Sequence, residues 1–151
     1  MLRSQLLHPQ ILSALAQSGH GSKVLISDGN YPHQTRRGPN AQLVFLNLAP
    51  GQVLVTDVLR ALLTAAPFEK AEVMDYARSG PYSLPQDPPI WQEFRQILNK
   101  SGEKFELEKI ERFAFYDVAS TADVCLTVAT GDQGVYANLL LTIGVVRPAQ
   151  L

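Results

Sequence analysis

Five short apolar runs rich in β-branched residues recur along the chain: "KVLIS", "AQLVFLNL", "AEVMDYA", "DVCLTVAT" and "NLLLTIGVV". Stretches with helical apolar spacing lie before and between most of them. "PQILSALAQS" places Ile11, Leu12, Leu15 and Ala16 on one face, with Pro9 suited to a first turn and Gly19 to a C-cap. "TDVLRALLTAA" predicts a second helix with Thr56 or Asp57 as N-cap, and "IWQEFRQILNKSG" a third with Ile90, Phe94, Ile97 and Leu98 inward. "FELEKI" reads as a short strand and "ERFAFYDVAS" as a helix. Strand-like and helical segments that alternate this way predict one α/β domain over residues 1–151, a layered sandwich around a largely parallel or mixed sheet.

The 151 residues, 46% of them hydrophobic, suffice for one core without staples. Thirteen basic against fourteen acidic side chains give a net charge of −1, and like charges never run beyond a pair. No basic face for nucleic acid is therefore expected. The one cysteine, Cys125, offers no disulfide framework and fits a reducing compartment. No apolar run approaches the roughly 18 residues of a membrane span, and the first 17 residues lack a signal peptide's apolar centre. The expectation is a cytoplasmic protein with no membrane partner. His8, His20 and His33 show no metal-ligand spacing and no Cys/His cluster accompanies them, so no metal site is expected.

One stretch carries more chemistry than its length suggests. In "SGHGSKVLISDGNYP", His20 sits between two glycines ahead of the first strand, and Asp28 opens a turn after it. "GHGSK" resembles a phosphate loop in composition only. It follows a helix and precedes a strand, so it meets helix C-terminal carbonyls, the reverse of the polarity that phosphate needs. His20 can also be read as a polar cap and Asp28 as an ordinary turn residue. "KVLIS", at ~3.3 Å per residue, holds the two apart, so they are expected to flank a ligand without touching. Residues 79–89, "SGPYSLPQDPP", hold four of the ten prolines and predict an ordered loop at the surface.

Taken in order, "LLHPQILSALAQSGHG", "ISDGNYP", "VMD", "PPIW", "ERFAFYDVA" and "TVATGDQGVYANLLLTIGVV" resemble the ribose pyranase and fucose mutarotase family, RbsD/FucU, over nearly the whole chain. The resemblance implies a ring-shaped homo-oligomer, most plainly a decamer, that interconverts anomers or ring forms of a free monosaccharide without a cofactor. Residue by residue it implies His20 and Tyr136 as the acid–base pair, with Asp28, Arg112 and Asn138 binding the sugar. Arg112 points to the fucose branch, since the ribose branch tends to carry histidine there. Glu69 is a minor catalytic candidate, and His33 is expected near the sugar entrance. The chain departs from the pattern at Ser22 and Lys23, where an acidic residue commonly follows G-H-G, and in two extra residues after "RFAFY". The competing expectation is a non-catalytic sugar-binding accessory or regulatory module, which needs Asp28, Arg112 and Asn138 but not His20 and Tyr136 as a proton-transfer pair.

Overall fold

Val24, Leu25 and Ile26 follow one another in sequence and are all fully buried. Successive strand residues face opposite sides of a sheet, so this strand is covered on both faces, as a central strand of an α/β layer must be. The computed structural model describes residues 2–150 and contains six strands. They are β1 (Lys23–Ser27), β2 (Gln42–Phe45), β3 (Phe68–Met74), β4 (Leu107–Ile110), β5 (Val124–Ala129) and β6 (Leu139–Ile143). Their order is β2-β5-β1-β6-β3-β4. β1 pairs parallel with β5, β2 with β5, and β3 with β4, whereas β6 runs antiparallel to both β1 and β3. The sheet is thus mixed, with β6 as the one reversed strand among those described.

Four α-helices pack around it: α1 (Pro9–Ala16), α2 (Val55–Leu63), α3 (Pro89–Ser101) and α4 (Arg112–Ala119). α1 lies against β2 and β5, α2 against β1 and α3, α3 also against β4, and α4 against β3. Trp91, Phe94, Leu59, Leu62 and Phe115 are fully buried among the apolar strand residues. None of the described helices is long and apolar enough to cross a membrane.

Several expected boundaries shift for local reasons. α1 stops at Ala16 with Gln17 as its C-cap, so Gly19 is not the cap; the left-handed backbone falls instead at Gly21. α2 is entered through Leu54, and neither Thr56 nor Asp57 is the N-cap residue. Thr56 is buried, while Asp57 reaches back one turn to accept the Leu54 N–H at 3.1 Å. A second carboxylate, from Asp132, accepts the Val55 N–H at 3.0 Å, so the free donors of this helix end are met from the β5–β6 connection. β3 begins at Phe68, three residues before the expected run, and Pro89 belongs to the first turn of α3, not to the loop. The β5–β6 connection also presses close to the 49–52 turn. A Cβ on Gly131 would stand 2.1 Å from the Gln52 carbonyl oxygen and 2.3 Å from that of Ala49, a gap only glycine fits.

Candidate active site

The topology separates the sheet into two chemically different edges. β1 and β3–β5 deliver their carboxyl ends to one edge, and the reversed β6 brings its entering residues, 136–138, to the same place. Crevices outside the carboxyl ends of parallel strands are where α/β sheets hold ligands. Asp28 follows β1, Met74 ends β3, Arg112 follows β4, and Tyr136 and Asn138 precede β6. With Asn30, Tyr31, Tyr82, Tyr116 and Val135 they line one cavity of about 450 Å³. Four of the five expected site residues are therefore gathered in a single chain.

Asp28 is buried, and its surroundings hold it rigidly. Its Oδ1 accepts the Asn30 N–H at 2.9 Å and its Oδ2 the Ala137 N–H at 3.3 Å. Its own N–H donates to Asn138 Oδ1 at 2.9 Å. Burial pushes the carboxyl up to about 6, helped by the nearby Asp132 charge and opposed by the backbone donors. This bond takes one lone pair of the Asn138 amide oxygen, which leaves its NH₂ group and the second lone pair for a ligand.

Arg112 opens α4, where Glu111 Oε2 caps the helix by accepting the N–H groups of Phe113 and Ala114 at 2.8 and 3.0 Å. Glu111 is thereby committed to the backbone, and Arg112 makes no ion pair among the described residues. Its guanidinium lies 5.6 Å from the Tyr82 ring centre and 5.9 Å from that of Phe113. A fork of donors held by aromatic faces suits hydroxyl recognition.

Tyr136 is buried, and its hydroxyl donates to the Tyr82 carbonyl at 2.8 Å while accepting the Ala77 N–H at 3.3 Å. The phenol has one donor and two acceptor positions, so in this arrangement it can present one lone pair to a ligand. It would donate only after Tyr82, on the Pro-rich loop, lets go.

His20 is elsewhere. It precedes β1 at the opposite edge of the sheet, 59% exposed, with Nε2 at 2.9 and 3.1 Å from the two oxygens of Glu69 at the start of β3. Five strand residues separate it from Asp28, roughly 15 Å or more of extended chain. Within one chain, His20 and Asp28 do not flank a common ligand. Glu69 gains a concrete partner, since a carboxylate on one ring nitrogen fixes the orientation of an imidazole. His33 does not line the cavity. Its Nδ1 lies 2.9 Å from Ser27 Oγ, its ring packs against Tyr31 and Phe45, and burial lowers its basicity. Among the described residues no group of three or more His, Cys, Asp or Glu side chains could hold a metal ion.

The cavity wall itself was only partly expected. Asn30 and Tyr31 sit inside the quoted "SDGNYP", and Tyr116 inside "RFAFY", so the motifs contained them without marking their roles. Met74 and Val135 sit likewise inside "VMD" and "TVATGDQGVYANLLLTIGVV", and Tyr82 inside the Pro-rich loop; only the crossing of β3, the loop and the entry to β6 brings them together.

A mixed α/β sheet with a cavity lined by Asp28, Arg112, Tyr136 and Asn138 at its carboxyl edge is the class that fold and site define. The chain belongs to the RbsD/FucU family: the RbsD / FucU transport protein family matches residues 1–146. It is 32% identical to the fucose mutarotase of Danio rerio, over 95% of this chain and 92% of that protein. Identity with the fucose mutarotase of Homo sapiens is 34%, over 93% and 90%. The crystal structure of the fucose mutarotase from Streptococcus pneumoniae in complex with L-fucose superposes with a TM-score of 0.82 at 25% identity, covering 97% of this chain and all of that one.

Proposed function

We propose that this chain is a carbohydrate isomerase, a mutarotase that interconverts the anomers of a free aldose, with L-fucose or a close relative as substrate. The observation that carries the reading is the meeting of Asp28, Arg112, Tyr136 and Asn138 in one cavity of a chain similar to fucose mutarotases along nearly its whole length. Opening the ring breaks the C1–O5 bond. A proton goes to O5, another leaves the C1 hydroxyl, and C1 becomes an aldehyde carbon; rotation about C1–C2 and the reverse transfers close the other anomer. Each direction needs one acid and one base and no net oxidant. Asp28 accepts from neighbouring hydroxyls, Arg112 and the Asn138 amide donate, and Tyr136 relays at the reacting oxygens.

The second proton carrier in this reading is His20, steadied by Glu69 and supplied by another copy of the chain. His20 and Asp28 occupy opposite edges of one sheet, so a head-to-tail contact can join them, and such a heterologous contact forms a ring where its rotation closes. In this reading the ring is the decamer that the family resemblance implies, built from single-domain chains over residues 1–151.

NMR magnetisation exchange between the anomeric signals of L-fucose tests the activity. Acceleration that survives chelator treatment is expected; sugar binding without acceleration would favour the accessory-module reading. Inactive His20→Ala and Arg112→Ala chains, unfolded together and refolded as mixed assemblies, are expected to recover part of the exchange rate. An active monomer in sedimentation would overturn the shared site.

A further inference from the structure

Tyr136 is the one described non-glycine residue with left-handed backbone, at φ 57°. An aromatic side chain resists that conformation, so the surroundings must impose it. Three bonds do so. The hydroxyl is held by Tyr82 and Ala77, and the next peptide N–H, of Ala137, is held by Asp28 Oδ2. The Tyr136 carbonyl accepts the indole Nε1–H of Trp91 at 2.9 Å.

Trp91 lies outside the cavity and is fully buried in the first turn of α3. Its ring packs 5.7 Å from Tyr76, with the Lys109 ammonium 5.0 Å from its centre, and its backbone N–H donates to the Pro88 carbonyl at 3.0 Å. Tyr76 in turn meets Tyr136 edge-on at 6.2 Å. The indole is thus a rigid post, and the bond it makes fixes the peptide from which the phenol and the Ala137 N–H reach their partners.

We propose that Trp91 is the positioning residue for Tyr136: its indole N–H holds the left-handed turn that sets the phenol in the cavity. The proposal rests on the mutarotase reading above. It predicts that Trp91→Phe, which keeps an aromatic ring and deletes the donor, lowers kcat for L-fucose exchange about tenfold to a hundredfold with little change in KM. Acting through the phenol has a second consequence. In a Tyr136→Phe background the same substitution should cost less than about twofold, because what it positions is already gone.

A folded Trp91→Phe with wild-type kcat, or losses that multiply independently in the double variant, would overturn the inference and leave the mutarotase reading standing. A wild-type protein that exchanges no aldose would remove both. Should Trp91→Phe fail to fold, the wild type still decides: Trp91 is the sole tryptophan, so the ¹⁵N-labelled protein has one indole N–H resonance. That signal is expected to shift on saturation with L-fucose, and an unmoved signal would overturn the positioning role.

Discussion

Asp28 ties the cavity to pH in a direction opposite to most carboxylates. Its folded value of about 6 lies above the ordinary 3.8, with burial as the main cause. The unfolded chain therefore ionises first as pH rises. Stability that is fully present below about pH 4 is lost as pH climbs through about 6, by at most about 3 kcal/mol for a shift of this size. Chemical denaturation between pH 4 and 7 should show this decline, and Asp28→Asn should flatten it while weakening sugar binding. An equally steep decline in the variant would mean that another group is responsible. The residue was legible because aspartate-glycine after an apolar run marks a strand end. Its titration was not, since burial comes from Asn138, Ala137 and Tyr136, more than a hundred residues away.

At the scale of elements, the alternating apolar periods were enough to find every strand and α-helix, and the misplacements share one cause. Boundaries are decided by partners that local sequence does not contain. The start of α2 is the clearest case: Asp132 Oδ2 takes the Val55 N–H, and Oδ1 takes the Gly134 N–H at 2.8 Å. One buried carboxylate thereby joins a helix entry to the loop that leads into Tyr136. Asp132→Ala should lower unfolding free energy by about 1–3 kcal/mol, the cost of a lost cap and an unpaired buried donor. Urea unfolding would report it as a lower midpoint at unchanged slope, and Asp132→Asn should recover part of the loss. A wild-type midpoint in the alanine variant would show that water replaces the cap. The sheet order was beyond reach for the same reason, since apolar runs announce strands but not which neighbours they take.

For the molecule as a whole, sequence patterns marked polar candidates without showing which of them share a place in the fold. His20 and Asp28 are eight positions apart and looked like two sides of one site; the strand between them carries them to opposite edges, so within one chain they do not meet. The position of β6 has a consequence for how the chain is made. β5 and β6 are synthesised last of the six strands, yet they occupy the interior of the order, between β2 and β1 and between β1 and β3. Until residue 124 leaves the ribosome, β3 with β4 is the one native ladder that can form, and β1 and β2 wait without a strand partner. Stalled chains ending near residue 123 should be cut readily by protease, while chains extended past residue 143 and clear of the exit tunnel should resist. A nascent chain of this kind exposes its apolar β1 for most of its translation and closes both flanks of it within the final twenty residues of sheet.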